Sequence, residues 1–193
     1  MAAILVYSGL DPVADRMTWL LETLPVMLGL LILPLTYRRF PLTPLLYRLL
    51  AVHAVILIVG GHYTYAEVPL GNWLRDALEL SRNHYDRLGH LAQGFIPAIL
   101  AREILLRRSP LRAGGWLFFI VACICLAFSA FYEMIEWWTA LISAEAAEAF
   151  LGTQGDPWDT QWDMFLALIG ALSSQLLLAR RHDRQLAALA AGP

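Results

Sequence analysis

The sequence predicts an all-α membrane protein whose helices form one bundle. Of its 193 residues, 59% are hydrophobic and 16% are charged, whereas a soluble domain carries about 25% charged residues. Five apolar runs are long enough to cross a membrane as helices, which takes about 20 residues each. Arginine clusters alternate along the chain with mixed or acidic connections. Length and composition together indicate a single integral-membrane domain that covers residues 1–193.

The five predicted spans account for most of the chain. They cover about residues 17–37, 45–65, 87–106, 114–142 and 161–180. Two prolines in the first span predict kinks, and the fourth span is long enough to extend beyond the hydrocarbon or to tilt. The apolar residues 1–10 are too short to span. They lack the basic region of a signal peptide and are predicted to be the end of an additional helix or an interfacial segment.

The arginines predict an orientation. They cluster in the first connection, in the third connection and after the fifth span, as Arg38, Arg39, Arg48, Arg107, Arg108, Arg112, Arg180, Arg181 and Arg184. The segments between these clusters are mixed or acidic, and the fourth connection includes Glu145 and Glu148. Cytoplasmic connections of bacterial membrane proteins carry an excess of Lys and Arg. We therefore expect an N-terminus outside and a C-terminus in the cytoplasm.

Ionisable side chains collect at the outer end of the predicted bundle. Each of three helices carries a pair three or four residues apart, so that each pair shares one helix face. The pairs are Asp86 with His90, Glu133 with Glu136, and Asp159 with Asp163. Charged groups at membrane depth are costly, and helix bundles build polar sites from such inward-facing pairs. We predict that these residues form the catalytic or binding centre.

Further residues flank these pairs on the outer side and are predicted to contact a substrate. They are His62, Tyr65, Glu67, His84, Asp156 and Trp158. Asp156 precedes a proline and can instead cap the fifth helix, and a solvated carboxylate at Glu67 needs no partner. Residues 150–159 contain two glycines, which permit a tight backbone. They are predicted either to fold over the centre as a lid or to form an ordinary turn.

Three chemistries fit the predicted centre. One is a divalent metal held by Asp86, His90, Glu133, Glu136 and Asp163. Carboxylates suit Mg²⁺, Ca²⁺ or Mn²⁺, and an added histidine admits Zn²⁺ or iron. The second is metal-free acid–base catalysis, because crowded carboxylates alter one another's proton affinity. The third is a relay for protons or substrate. A purely structural role, in which these side chains lock helices together, is the remaining alternative.

The leading functional prediction is a small membrane-embedded enzyme or binding protein that acts on a lipid or a lipid-linked envelope substrate. The alternatives are a proton-coupled transporter or channel component and a membrane scaffold. The sequence contains no Gly-x-Ser-x-Gly elbow, phosphate-binding glycine loop or His-Glu-x-x-His motif. It also lacks the long basic patch that would predict nucleic acid as a partner. The lipid bilayer is the partner that the composition requires.

Four longer motifs combine these residues with aromatic and glycine positions. They are HYTYAEVPLG, NHYDRLGHLAQGF, FYEMIEWW and GTQGDPWDTQWDM, at residues 62–71, 83–95, 131–138 and 152–164. The motifs resemble those of the YjdF family of bacterial inner-membrane proteins, over residues 12–180. That family is defined by sequence, so the resemblance implies a location and not a mechanism. It also implies an additional N-terminal helix, of which this chain carries at most residues 1–10.

Three helices bear a fainter resemblance to VanZ-like membrane proteins. Residues 86–90 resemble their Asp-Lys-x-x-His helix, residues 133–136 their Glu-x-x-Gln, and Asp163 the start of their closing Asp-x-x-x-Asn-x-x-Gly helix. Glu136 stands in place of the Gln and Ala167 in place of the Asn. This second resemblance therefore transfers no mechanism.

Overall fold

The computed structural model describes residues 1–142 and 153–191, and it confirms the predicted all-α class for them. In chain order the helices are α1 Ala2–Leu10, α2 Arg16–Thr36, α3 Pro44–Tyr63, α4 Pro69–Ala77, α5 Tyr85–Arg108, α6 Gly115–Ile142 and α7 Asp159–Ala191. A single 3₁₀ turn, Tyr65–Glu67, connects α3 to α4. The predicted acidic residues Glu145 and Glu148 and the first part of the glycine-containing loop, residues 150–152, lie outside the described residues.

Four helices, α2, α3, α6 and α7, are long and apolar enough to cross a membrane. They coincide with four of the five predicted spans. Helix α5, with 24 residues, is long enough to cross a membrane. It carries more charged residues than a helix that faces lipid on all sides. Because α5 packs against α3, α6 and α7, its ionisable side chains have protein neighbours. The crossing of the membrane by α5 and the orientation of the bundle stay predictions.

Local sequence explains where the spanning helices begin. The Asp15 carboxylate accepts hydrogen bonds from the backbone amides of Met17 and Thr18 and thereby caps α2. These hydrogen bonds outweigh the opposing effect of partial burial and lower the pKa of Asp15. Thr43 caps α3 in the same way, ahead of a proline at the first helical position. Both caps satisfy amides that would otherwise lack partners where the chain enters a helix.

Helix α7 continues well past the predicted end of the fifth span at residue 180. The extension reaches Ala191, and tertiary contacts stabilise it. The Gln185 side-chain oxygen accepts a hydrogen bond of 2.8 Å from the backbone amide of Leu45. His182, one turn earlier, is fully buried. The hydropathy pattern marks only the apolar part of this helix, whereas its length depends on contacts with α3 and α5.

Glycines bring α5 and α7 into close contact. A Cβ atom on Gly94 of α5 would overlap the backbone carbonyl oxygen of Ala167, and one on Gly170 of α7 would overlap that of Leu91. Small residues allow the backbones of membrane helices to approach in this way. Gly94 lies one turn beyond His90, on the same face of the helix. The close packing therefore also brings the predicted polar residues of the two helices together.

The outer surface of the bundle is as apolar as its interior. Large apolar side chains are exposed along the spanning helices, among them Leu31, Leu35, Phe119, Phe128, Leu176 and Leu177. Continuous apolar surface of this kind marks contact with another apolar phase. A bilayer supplies that phase along the spanning helices.

Candidate functional site

The predicted polar pairs converge on His90. Its Nε2 atom lies 3.5 Å from Asp86 Oδ1, 3.8 Å from Glu133 Oε1 and 3.9 Å from Asp163 Oδ2. Glu136 belongs to the same group of donor atoms. All five residues are buried, and they come from α5, α6 and α7. We call Asp86, His90, Glu133, Glu136 and Asp163 the His90 cluster.

The distances within the His90 cluster are too long for hydrogen bonds. Glu133 Oε1 and Asp163 Oδ1 are buried and make no hydrogen bond with any described residue. Two overlapping sets of donors, Asp86–His90–Asp163 and His90–Glu133–Glu136, each have their atoms within 4.8 Å of one another. Donors on a shared divalent ion are separated by about 3.0–3.4 Å when each metal–donor bond is about 2.1 Å. Side-chain shifts of about 1 Å would therefore let these residues hold a cation.

Arginines neutralise the two aspartates that precede Asp163 in the chain, Asp156 and Asp159. Arg82 is buried and donates a hydrogen bond to Asp159. It also lies 3.5 Å from Asp156 and 4.0 Å from Asp86. Arg87 pairs with Asp156 at 2.7 Å. The structure thus separates Asp159 from the other predicted catalytic residues, because its carboxylate is directed to Arg82 and not to His90.

Glu22 of α2 extends the polar region through Tyr132, which lies beside His90. The Tyr132 hydroxyl donates a hydrogen bond of 2.8 Å to Glu22, and the Tyr132 ring lies 6.4 Å from the His90 ring. Tyr65, a predicted substrate contact, also hydrogen-bonds to Glu22. Burial and the charge of Glu22 raise the pKa of Tyr65 well above its usual value, which keeps its hydroxyl protonated as a donor.

The described part of the glycine-containing loop is attached to the start of α5. The Gln154 side chain accepts a hydrogen bond from the backbone amide of Asn83 and donates one to the backbone carbonyl of Asn83, both at 2.9 Å. Gln154 and Gly155 both have positive φ, the conformation that glycine adopts at little cost. Asp156 accepts from the Trp158 amide as well as from Arg87. The loop is therefore held by specific contacts and not by helix capping alone.

A surface cavity of about 370 Å³ opens beside this loop. It is lined by Thr153, Gly155, Asp156, Pro157, Asp159 and Thr160. The Thr160 side chain hydrogen-bonds to Glu133. One threonine thus links the wall of the cavity to the His90 cluster.

Four of the predicted outer contacts lie away from the cluster. His62 donates from Nδ1 to the Ser8 carbonyl at 2.9 Å and so attaches α1 to α3. Glu67 is exposed, and Trp158 is also exposed. His84 is half-buried at the start of α5, where partial burial and the charges of the nearby arginines lower its pKa.

Sequence reasoning missed Arg82 and Tyr132 as neighbours of the predicted centre, and it placed Glu22 near the outer end of the first span without assigning it to the centre. Arg82 precedes α5 and has no helical partner in the sequence, although its spacing of four from Asp86 is a usable signal. Glu22 is a single acid in an apolar helix, and that isolation at membrane depth is its own signal. Tyr132 adjoins Glu133 but gives no signal in the sequence, since tyrosines are common in membrane helices.

A second buried polar network lies at the other end of α5. Glu103 accepts hydrogen bonds from Thr43 Oγ1 at 2.8 Å, Arg107 Nη1 at 2.7 Å and His182 Nε2 at 3.0 Å. Arg102 donates to His182 Nδ1 at 2.8 Å. Because arginine can only donate, His182 carries its proton on Nε2 and both of its nitrogens are satisfied. We call these residues the Glu103 network.

Comparisons with known proteins agree with the helical architecture. Residues 1–184 match the family described as "Predicted membrane protein (DUF2238)". The chain is 54% identical over 186 residues to the inner membrane protein YjdF of Escherichia coli (strain K12), a match that covers 96% of this chain and 88% of that protein. No solved structure matches the chain significantly.

The relative's name agrees with the predicted inner-membrane location. The fainter resemblance to VanZ-like proteins stays a prediction. The family match spans the helices that build the His90 cluster and the Glu103 network. This chain is therefore a multi-pass membrane protein that belongs to the DUF2238 family of predicted membrane proteins and is related to YjdF.

Proposed function

We propose that the His90 cluster is the divalent-cation site of a small membrane-embedded enzyme that acts on a lipid or lipid-linked envelope substrate. One observation carries the proposal. The Nε2 atom of His90 lies within 3.9 Å of three buried carboxylates, and none of these distances is a hydrogen bond. A cation between the imidazole and the carboxylates would satisfy all of them together.

A scaffold role accounts poorly for this arrangement. Polar contacts between membrane helices contribute about 0.6 kcal/mol on average. A buried polar atom without a partner costs about 1–3 kcal/mol, and the cluster contains such atoms on Glu133 and Asp163. Charges retained at this cost are explained more directly by a ligand.

The donor set favours a cation that accepts both nitrogen and oxygen. Imidazole suits Zn²⁺ and iron, and carboxylates suit Mn²⁺ and Mg²⁺. One histidine among four carboxylates therefore favours Mn²⁺, Zn²⁺ or Fe²⁺ over Ca²⁺. Such an ion acts as a Lewis acid and lowers the pKa of bound water, which is the chemistry that hydrolysis or transfer of a headgroup requires. Tyr132 and Glu22 lie where they can hold a proton beside His90.

The surroundings of the cluster fit an amphiphilic substrate. The polar cavity beside the loop reaches the cluster through Thr160. An apolar groove of about 440 Å³ lies next to it, lined by Trp158, Gln161, Trp162 and Phe165. A headgroup in the cavity and an acyl or prenyl chain in the groove would occupy both at once.

A transporter is less well supported. A proton path requires a connected series of polar groups from one side of the membrane to the other. The buried α5 residues between His90 and Arg102 are Ala92, Gly94, Ile96, Ala98 and Ile99, and none of these side chains is polar. The close contact of Gly94 with α7 fills the space beside them. Within α5 the two polar regions are therefore separated by packed apolar residues. In the same interval α7 carries the buried polar residues Ser174 and Gln175, and the Gln175 amide is bonded to the backbone carbonyls of Phe118 and Ala171.

The metal content of purified protein tests the proposal. Wild type, His90→Ala and Asp163→Ala are purified in detergent, incubated with Mn²⁺, Zn²⁺ or Fe²⁺, desalted and measured by plasma mass spectrometry. We expect near-stoichiometric metal in wild type and its loss in both variants. His53→Ala is the matched control, since this histidine belongs to neither donor set, and it should retain the metal. Metal-free wild type, or equal metal in all variants, would reject the cation site.

The substrate class is tested separately. Lipid extracts from cells that overproduce wild type or Glu133→Gln are compared by mass spectrometry, and both proteins are quantified in the membrane. We expect one headgroup class or lipid-linked intermediate to change with wild type alone. Identical lipid profiles in the presence of a confirmed metal site would leave the cation site and reject the lipid substrate.

A further inference from the structure

Helix α4 has an apolar face and a polar face at helical spacing. Leu70, Trp73, Leu74 and Leu78 lie within an arc of about 140° at 100° per residue, and Leu78 directly follows the helix. Gly71, Asn72, Arg75 and Asp76 occupy the opposite arc. In soluble domains an amphipathic helix turns its apolar face toward the protein.

In α4 the faces are reversed. The apolar side chains are exposed by 57% for Leu70, 64% for Trp73 and 63% for Leu78. The polar face makes the contact with the protein, because the Asn72 side-chain oxygen accepts a hydrogen bond of 2.9 Å from Asn83. Gly71 is buried against Asn83, and a Cβ atom on Gly71 would overlap the Asn83 side chain. Leu88, in the first turn of α5, is also exposed.

We infer that α4 is an in-plane interfacial helix whose apolar face lies in the boundary between lipid headgroups and acyl chains. The partner is the bilayer itself, because α4 begins within six residues of the end of the membrane-spanning helix α3. An apolar face that is directed away from the protein and includes an exposed tryptophan is the pattern of a helix that lies on a membrane. This inference is independent of the cation site.

Asn83 connects α4 to the loop beside the His90 cluster. Asn83 donates to the Val68 carbonyl and to Asn72, and its backbone pairs with Gln154. Its side-chain oxygen accepts from the Tyr85 amide at the start of α5. A helix anchored in the interface therefore holds the loop and the start of α5 at the depth of the headgroups.

Site-directed spin labelling of the full chain in vesicles of phosphatidylethanolamine and phosphatidylglycerol tests the inference. Cys123 and Cys125, the only cysteines, are replaced by alanine, and single labels are introduced by Leu70→Cys, Trp73→Cys or Asp76→Cys. Leu31→Cys, at an exposed position of α2, is the reference inside the bilayer. Retention of the helical circular dichroism and of thermal unfolding checks that each variant folds.

We expect the ratio of collisions with oxygen to collisions with a water-soluble nickel complex to be several-fold higher at positions 70 and 73 than at position 76. The ratio at Leu31→Cys should be higher still. Free access of the nickel complex at all three α4 positions would overturn the inference. So would exclusion of both reagents at 70 and 73, which would indicate burial against protein, and spin–spin broadening there would identify a second copy of this chain as the occupant.

Discussion

The two polar regions of α5 contain similar residues in opposite states. In the Glu103 network the carboxylate is surrounded by donors, and His182 is bonded at both nitrogens. In the His90 cluster a histidine faces three carboxylates beyond hydrogen-bond distance, and carboxylate oxygens lack partners among the described residues. The regions lie about 20 Å apart along the same helix, at 1.5 Å per residue.

This difference is the one expected between a polar group that holds a fold and the cation site that we propose at His90. A buried charge is tolerated when its hydrogen bonds are complete, as at Glu103. The His90 cluster lacks that completeness, because Glu133 Oε1 and Asp163 Oδ1 make no hydrogen bond with any described residue. The same substitution, glutamate to glutamine, can be made in both regions, and it provides a matched test of this comparison.

The largest effect is expected for Glu103→Gln. Glutamine keeps one acceptor oxygen and replaces the other with an NH₂ group, so either Arg107 or His182 then faces a donor in place of its acceptor. Removal of one partner of a buried pair costs about 3–5 kcal/mol. The free energy of unfolding, measured by titration of mixed micelles with sodium dodecyl sulfate, should fall by this amount. A loss no larger than that of an exposed control, Asp76→Asn, would show that the Glu103 network does not hold the fold.

A smaller change of opposite sign is expected when a cation is added to the wild-type protein. At a free concentration of about 100 times its dissociation constant, a ligand that binds only the folded state stabilises it by about 2.7 kcal/mol. The same titration should show this gain in wild type and His53→Ala and not in Asp163→Asn. An equal gain in Asp163→Asn would assign the cation to another part of the protein.

The smallest effect is expected for Glu133→Gln in metal-free protein. Glutamine removes one ionisable group from a set of crowded, buried carboxyl groups, and ionisable groups at functional sites often destabilise the fold. The free energy of unfolding should stay unchanged or rise by about 0.5–2 kcal/mol. A loss comparable to that of Glu103→Gln would remove the distinction between the two regions and favour a scaffold role for both.

Much of the His90 cluster was predictable because its members occur as pairs at helical spacing. Asp86 with His90 and Glu133 with Glu136 each occupy one face of a helix, and a shared face is a local property of the chain. Asp159 with Asp163 has the same spacing, yet only Asp163 faces His90. Pairing with Arg82 redirects Asp159, and that contact joins residues 77 positions apart.

The Glu103 network was not predicted as a unit. Its members come from the start of α3, the end of α5 and the extension of α7. Arg102 and Glu103 resemble an anchoring pair at the end of a span, and His182 lies beyond the last apolar residue of the predicted fifth span. Nothing local indicates that the histidine folds back onto the glutamate, since their contact depends on how α7 packs along α5.

The sequence by itself determined the all-α class, the membrane location, the family and the helix faces that carry the ionisable pairs. These follow from composition and from periodicity within single helices, which neighbouring helices do not alter. Only the tertiary structure decided which acids face His90, which are neutralised by arginine, and which face of α4 is exposed. Those outcomes depend on helix rotation and close approach, such as the contact of Gly94 with Ala167, and packing between distant segments sets both.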